Sequence, residues 1–436
     1  LLHDVAGLAR DLRVFLGDDG ILPHGAYRPG TTWSVFDLVS TTSGAAVVMA
    51  LGAAALVAFT VGFRTRLATF LSWIFVSSIH HRNFFLVDGG DMIARALLFW
   101  SLFADLGAAY GIDARRRPGR VVDVPAFGMR LLQMQIAILY SGTARVKMRA
   151  GWLKGDAVFD ALQLDGFTRP AGAVLGRSPA LCKLMTYGTL VAETLFPLAA
   201  FSPFAIRACR VAALVMGLAL QLGILVTMRV GIFTEVMIAS MALFVPVPWI
   251  DRAERHLRAR GWLQADARPE TAPDEPRWLV PAQLAAGVQL GLCLWGPSIS
   301  RWLPLPGPLA AEVRFVDVEA DYGMFATPLD LSRWRGDGVL ADGSRVEVVS
   351  VVAPGAAPTA PGWTFDRWYK VMAKEHERRF PYPTVGAYFC RRWDELRPGS
   401  PLRSFTLYDD VAHPRVPDGP AQPITPVTLW RQTCSP

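Results

Sequence analysis

Long apolar runs separated by short charged loops fill about the first 300 residues of this 436-residue chain. A helix needs about 20 apolar residues to cross a bilayer, and eight runs approach that length. They lie at about 42–62, 67–80, 91–111, 125–147, 180–203, 208–227, 230–249 and 278–297. The second run is short, so we expect it to tilt, extend or be partly re-entrant. The pattern predicts a mainly α protein, a polytopic helical membrane bundle of about eight spans.

The composition and the position of the charges favour the same class. Of all residues, 52% are hydrophobic and only 19% are charged, whereas soluble domains carry about 25% charged residues. A net charge of +7 could indicate nucleic-acid binding, but no recognition module is visible, and we predict no nucleic-acid partner. The arginines instead cluster in alternate loops, which predicts that these loops are cytoplasmic. They are Arg64 and Arg66, then Arg115, Arg116, Arg117 and Arg120, then Arg207 and Arg210, then Arg252, Arg255, Arg258 and Arg260.

The same topology places the N-terminal stretch, the loops 79–91 and 148–179, and everything after about residue 298 on the outer face. Residues 1–35 are predicted to be an interfacial segment, in which Leu1–Leu16 is an amphipathic helix on the membrane or the tail of an unseen span. The bundle is assigned to residues 36–298. Residues 299–436 are predicted to form an α+β domain packed on the outer end.

Within that last domain, short alternating runs predict strands near 312–318, 346–348 and 404–408, with turns at 336–338 and 342–343. A loop is expected at 352–362, followed by helices at 365–379 and 383–396. The five cysteines show no CxxC spacing and no zinc-ligand pattern. Cys390 and Cys434 could pair in an oxidising compartment, although the sequence does not reveal their separation in space.

Candidate chemistry lies on the fourth run, where Gln133, Tyr140 and Lys147 are seven residues apart and therefore share one helix face. Lysine removed from water is a possible base. The alternative is that Lys147 extends to the outer interface and the other two bond neighbouring helices. Glu193, inside the fifth run, is a structural hydrogen-bond partner or a functional carboxylate.

The loop between the second and third runs holds five ionisable residues and an asparagine. His80, His81, Arg82, Asn83 and Asp91 are candidates for binding or catalysis. The alternative is a buried ion pair that orients the helices, formed by Asp91 and Arg95 four residues later, with Asp105 further along the same face. Adjacent histidines point apart on a helix or strand, and no third ligand is obvious, so we predict no metal.

Three phrases in this chain resemble the horizontally transferred transmembrane (HTTM) family, the bacterial relative of the vitamin K-dependent gamma-carboxylase. They are Arg82-Asn83 with Gly90-Asp91, Asp18-Asp-Gly-Ile-Leu-Pro23, and Tyr322-Gly-Met-Phe325-Ala-Thr-Pro. The segment Lys147-Met-Arg-Ala-Gly-Trp152 is the most specific, since it is similar to a carboxylase segment with the same lysine-to-tryptophan spacing. The resemblance implies a multi-pass protein of the bacterial cell membrane, with its site and its C-terminal domain outside the cytoplasm.

The resemblance also implies an activity. Lys147 would be the base that deprotonates vitamin K hydroquinone or menaquinol, with oxygen and carbon dioxide as co-substrates and a peptide or protein glutamate as the acceptor. Asp91 and Tyr140 would be the other catalytic residues. The predicted substrate-binding residues are His80, His81, Arg82, Asn83, Gln133, Arg145, Trp152 and Glu193. Asp91 stands where the carboxylase has a catalytic histidine; if that histidine serves the carboxylation step, this protein would keep quinol oxidation and lack glutamate carboxylation.

Two other functions fit the sequence. One is a non-catalytic membrane module whose outer domain binds a partner or membrane lipid, because a fold alone does not confer chemistry. The other is a small-molecule transporter, for which paired half-structures with broken helices would be expected, and no such pairing is visible.

Overall fold

Helices occupy most of the first 260 residues, and a small sheet lies near the C-terminus. This computed structural model describes residues 1–26, 33–116, 126–149, 152–164, 166–261, 281, 283–285, 287–289, 291, 306–316, 330, 332–356, 367–374, 380–416, 419–420 and 422–434. The helices of the first part are α1 (Leu2–Arg10), α2 (Leu12–Phe15), α3 (Thr42–Thr60), α4 (Thr65–Arg82), α5 (Gly89–Ser101), α6 (Ile112–Arg115), α7 (Ala126–Arg149), α8 (Ala157–Ala161), α9 (Pro170–Leu175), α10 (Pro179–Ala200), α11 (Ile206–Thr227), α12 (Phe233–Ser240) and α13 (Val247–Ala259). Short 3-10 helices lie at Val35–Leu38, Phe84–Leu86, Trp152–Lys154, Met241–Phe244 and Pro354–Ala356.

The C-terminal part combines helices with a four-stranded antiparallel sheet of order β2-β1-β3-β4. Its elements are α14 (Gly307–Val316), β1 (Trp334–Leu340), β2 (Arg345–Glu347), α15 (Val349–Val352), α16 (Arg367–Met372), α17 (Tyr382–Leu396), β3 (Leu402–Val411) and β4 (Thr425–Thr433). Helix α17 packs on the sheet through its buried face. A disulfide joins Cys390 of this helix to Cys434 after β4.

In the part of the chain that the structure describes, two helices, α3 and α11, are long and apolar enough to cross a bilayer. A third span is possible if Phe233–Phe244 and α13, which meet at a 93° bend, are counted together. The run predicted at 91–111 is shorter in the structure, because α5 ends at Ser101. The run at 278–297 lies largely outside the described residues.

The basic loops meet at one end of the bundle. The backbone N–H groups of Arg64 and Thr65 donate to the carboxylate of Asp113 at 2.9 and 2.7 Å, so an acidic side chain from α6 caps the N-terminus of α4. Gly62 has φ +69°, and a Cβ there would lie 2.7 Å from the Cα of Gly111. Glycine is therefore required where these two loops touch.

The opposite end contains the loops before α5, α9 and α12. Thr168 and Met228 form an isolated antiparallel bridge, and the N–H of Arg229 donates to Phe167 at 2.5 Å. A Cβ on Gly90 would lie 2.6 Å from the backbone nitrogen of Phe233. The start of α5 therefore packs directly on the start of α12.

The predicted N-terminal helix is present as α1 and α2, and protein covers its apolar face. Val5, Leu8, Leu12 and Phe15 are all buried. The ring of Phe15 lies 5.4 Å from that of Trp368 on α16. This segment therefore joins the bundle to the C-terminal domain.

Two predictions for the C-terminal domain are wrong, and one strand was missed. The strand predicted from Glu312 is the helix α14, because an alternation of only a few residues fits the helical period as well. The Gly336-Asp-Gly338 turn lies inside β1, where a Cβ on Gly338 would meet side chains of Val348 and Leu402 at 2.6 and 2.9 Å. Strand β4 was not predicted at all.

Other predictions for this domain are confirmed. The turn at Asp342-Gly343 joins β1 to β2. The helix at 383–396 and the strand at 404–408 correspond to α17 and β3. The phrase Tyr322–Pro328 lies outside the described residues.

Candidate functional site

Lys147 lies in the last turn of α7, and its side chain is buried. Its residue exposure is 7%, and its Nζ forms an ion pair and a short hydrogen bond with Oε1 of Glu193 on α10. The Nζ also lies 4.4 Å from the centroid of the Trp152 ring, a cation–π distance. The amine is therefore inside the protein and contacts one carboxylate and one aromatic face.

The Glu193 carboxylate has spare acceptor capacity. Its Oε2 is buried without a well-formed hydrogen bond among the described residues. The Thr143 side chain lies close enough to donate a weak hydrogen bond to the carboxylate. On the neighbouring helix α11, Oε1 of the buried Gln221 likewise has no hydrogen-bond partner in the described part of the chain. Two buried acceptors on adjacent helices are thus available to a ligand that carries hydroxyl donors.

The remaining residues of the α7 stripe contact the helices around it. The Tyr140 hydroxyl accepts a hydrogen bond from Nε2 of Gln221 at 3.0 Å, and its ring lies 4.4 Å from that of Phe196 on α10. Gln133 donates to the carbonyl of Leu243 at 2.6 Å. The three predicted residues therefore share one face, which packs on neighbouring helices. Arg145 is half-buried, and it points to another side of α7 because two residues rotate a helix by about 200°.

The candidate residues from the end of α4 to the start of α5 form two groups, and the first group binds the N-terminal segment. Nδ1 of His81 lies 2.9 Å from the carbonyl oxygen of Trp33. Arg82 donates to the Leu22 carbonyl at 2.7 Å, and Asn83 donates to the Phe15 carbonyl at 2.8 Å. These contacts give His81, Arg82 and Asn83 a role in holding the N-terminal segment.

The second group surrounds the N-terminus of α5. Asp88 and Asp91 form a capping box there, and Nε2 of His80 lies 4.0 Å from Oδ1 of Asp91. Lys370 of α16 reaches both carboxylates, with its Nζ 2.6 Å from Asp91 and 2.9 Å from Asp88. Sequence reasoning missed Lys370, since it is 279 residues from Asp91 in the chain and no local pattern marks it.

The charges of this cluster fix the protonation of Lys370. Burial alone would lower the pKa of Lys370, but the negative charges of Asp91 and Asp88 outweigh it and raise that pKa above its usual value. Burial, with a contribution from the Asp91 charge, raises the pKa of Asp88 to about 6. Lys370 is therefore a permanent cation at physiological pH and a poor proton acceptor.

Helix α16 and nearby loops hold the C-terminal domain on this end of the bundle. Lys374 donates to the carbonyl of Phe84 at 2.8 Å, and Arg367 pairs with Asp4 at 3.1 Å. The rings of Tyr369 and Phe167 lie 4.8 Å apart. The C-terminal domain thus covers the end of the bundle that carries Asp88 and Asp91.

No group of three or more potential metal ligands occurs among the residues that the structure describes. A family model described as the HTTM domain matches residues 31–249, about half of the chain. That range includes Lys147, Glu193 and Asp91, whereas Lys370 lies beyond it. No curated protein and no solved structure matches this chain.

Proposed function

Because this chain belongs to the HTTM-domain family, which is related to the gamma-carboxylase, we propose that it is a membrane enzyme that oxidises a quinol. Lys147 is the general base. The observation that carries this proposal is the burial of Lys147 against Glu193 and the Trp152 ring. A general base must be held near its proton donor in a site that excludes water, and an outward-pointing lysine would lack that property.

In the proposed reaction the neutral amine of Lys147 takes a proton from a phenolic hydroxyl of the quinol. The neutral form arises when Lys147 passes its own proton to Glu193, which lies at hydrogen-bond distance. Oxygen is the oxidant and co-substrate for the resulting quinol anion: one oxygen atom enters the ring as the epoxide, and the other leaves as water with the two protons of the quinol hydroxyls. Vitamin K hydroquinone and menaquinol both fit as substrates, because each carries two hydroxyl donors on an apolar ring.

The spare acceptors support a ligand of that kind. Glu193 Oε2 and Gln221 Oε1 are buried acceptors without a well-formed bond in the described residues, and Tyr140 lies between their helices. A quinol hydroxyl that donates to either oxygen would remove the penalty of an unpaired buried polar group. We therefore propose Tyr140, Gln221 and Glu193 as the quinol-binding residues beside Lys147.

The proposed topology puts the basic loops in the cytoplasm and the C-terminal domain outside it. The disulfide between Cys390 and Cys434 supports an oxidising compartment for that domain. Beyond α3 and α11, we propose that α4, α5, α7 and α10 also lie within the bilayer, as part of about eight spans in residues 36–298. The C-terminal domain would then exclude water from the outer end of the site. Glutamate carboxylation is not part of the proposal, because Asp91, which stands where the carboxylase has a catalytic histidine, pairs with Lys370.

The test is formation of quinone epoxide from vitamin K hydroquinone and oxygen by purified protein in detergent. We expect Lys147→Ala to lose at least about 100-fold in rate, the lower range for a general base. Lys154→Ala is the matched control, since Lys154 is exposed two residues after Trp152, and its rate should equal that of the wild type. A folded wild-type protein that forms no epoxide from several quinols would favour the non-catalytic membrane module.

A further inference from the structure

Helix α13 differs from every other described helix of comparable length in the bundle, because none of its residues is buried. It follows Phe233–Phe244 at a 93° bend. Pro246 and Pro248 stand at this bend, where proline prevents the preceding helix from continuing. Helix α13 therefore runs nearly perpendicular to the apolar helix before it, at the end of the bundle where the basic loops meet.

The apolar side chains of α13 form one exposed stripe. Trp249, Ala253 and Leu257 are spaced four residues apart, and Ile250 lies beside them on the helix surface. Trp249 is 48% exposed and Ile250 is 41% exposed, so the described part of the protein does not cover this stripe. An apolar stripe of this kind is stable only against an apolar environment.

Basic side chains occupy the exposed surface beside and opposite the stripe, because a rotation of about 100° per residue puts Arg252 and His256 next to Trp249 and Arg255 opposite Ala253. Arg252, Arg255 and His256 are exposed, while Glu254 faces the protein and receives a hydrogen bond from the Tyr110 hydroxyl. Glu254 is thus turned toward the loop before α6, together with Arg258, which pairs with it at 3.7 Å. Asp251 is half-buried, whereas Arg252 and Arg255 are exposed. The free side of the helix combines a tryptophan-containing apolar stripe with positive charge.

From these observations we propose that α13 lies in the membrane interface and binds acidic phospholipid headgroups. The apolar stripe enters the boundary of the acyl chains, and Arg252 and Arg255 contact the headgroup phosphates. The proposal does not depend on quinol chemistry. It depends only on the membrane location of α3 and α11, the two apolar helices of the same bundle.

A second feature at the same end supports a lipid surface over a protein partner. The loop between α10 and α11 exposes Phe204 at 79%, and the first residues of α11 are Ile206, exposed at 48%, and the exposed Arg207. The same combination of exposed apolar residues and arginine therefore recurs on an element separate in sequence from α13. Each of the two elements adjoins the end of a bundle helix, so both would lie at the same anionic bilayer surface.

The test uses full-length protein in lipid nanodiscs and measures how deep a spin label lies. The three cysteines outside the disulfide, Cys182, Cys209 and Cys293, are replaced by alanine, and the disulfide is kept. One label is placed by Ala253→Cys in the stripe, and a second by Arg255→Cys on the opposite, basic face. Power saturation with oxygen, which partitions into acyl chains, and with a water-soluble nickel chelate reports the depth of each label.

In nanodiscs that contain phosphatidylglycerol, we expect the label at 253 to be accessible to oxygen and shielded from nickel, and the label at 255 to show the reverse. In phosphatidylcholine alone, or with Arg252→Gln and Arg255→Gln added to the Ala253→Cys protein, the label at 253 should become more accessible to nickel. Each arginine near an anionic surface contributes about fivefold to this equilibrium. Equal access of nickel to both labels in acidic lipid would overturn the proposal. Shielding of the label at 253 from both reagents would overturn it too, because it would indicate a protein covering the stripe.

Discussion

Two lysines are buried in this protein, and they differ in the number of carboxylates that contact them. Lys147 contacts a single carboxylate, Glu193, and the face of Trp152. Lys370 contacts two carboxylates, Asp88 and Asp91, across the junction between the C-terminal domain and the bundle. One carboxylate can exchange a proton with a lysine and leave a neutral pair, whereas two carboxylates keep it charged. The first arrangement suits proton transfer and the second suits a fixed structural contact.

Removal of Lys370 should therefore have the largest effect on stability. Lys370→Met leaves Asp88 and Asp91 buried beside each other without their cation, and we expect a loss of about 3–5 kcal/mol in the free energy of unfolding. Denaturant unfolding and hydrogen exchange of the α16 amides measure it. The same variant with Asp88→Asn and Asp91→Asn should recover most of the loss. An unchanged Lys370→Met protein would show that the contact is not structural.

Removal of Glu193 should have a smaller effect. Glu193→Ala leaves Lys147 without its carboxylate, but a buried amine can release its proton and become neutral, so we expect a loss of about 2–3 kcal/mol. Glu193→Gln, which keeps the volume, is the matched variant for packing. A loss in Glu193→Ala that equals that of Lys370→Met would indicate that Lys147 is as firmly charged as Lys370.

Removal of the disulfide should destabilise the region around Lys370 and leave the region around Lys147 unchanged. The bridge closes a segment of 44 residues, and its removal by Cys390→Ala with Cys434→Ala is expected to cost the C-terminal domain about 2–4 kcal/mol. Hydrogen exchange should rise in α16 and α17 and stay unchanged in α7 and α10. Equal increases around Lys147 would show that the two regions unfold as one unit.

The pH dependence assigned to Asp88 should be the smallest effect. Its pKa is raised from 3.8 to about 6 in the folded protein, so the folded state binds more protons between these two pH values. The resulting stability is present below about pH 4 and is lost as the pH rises through 6. Asp88→Asn keeps the helix cap and should reduce the stability difference between pH 5 and pH 7 by about 1 kcal/mol.

Asp160 has a pKa raised to about 6 by burial and by Asp156, and it titrates in both proteins. The difference between wild type and Asp88→Asn therefore isolates Asp88. The same pH dependence in both proteins would rule out the proposed titration.

The sequence predicted the parts of this molecule that depend on local pattern. Apolar runs located most of the bundle helices, and the seven-residue spacing placed Gln133, Tyr140 and Lys147 on one face of α7. The disulfide could only be offered as a possibility, because it depends on how α17 packs against the sheet. Strand β4 was missed because its residues are mostly exposed and show no clear alternation.

The contacts of both lysines could not be predicted from local sequence pattern. Lys147 and Glu193 are 46 residues apart in the chain, and nothing in either helix specifies that α7 and α10 are neighbours. Lys370 is further still from Asp91, and its helix α16 has only six residues. The two adjacent histidines at the end of α4 also have different partners. His80 lies near Asp91, whereas His81 binds the backbone of Trp33.

Chemical rescue of Lys147→Ala tests the central claim, that Lys147 is a base and not a structural cation, most directly. The measurement is epoxide formation by this variant in the presence of a small primary amine such as ethylamine, at several pH values. The account predicts that the rate returns in proportion to the unprotonated amine, while the exposed control Lys154→Ala gains nothing. A Lys147→Ala protein that forms epoxide as fast as the wild type without any amine would contradict it.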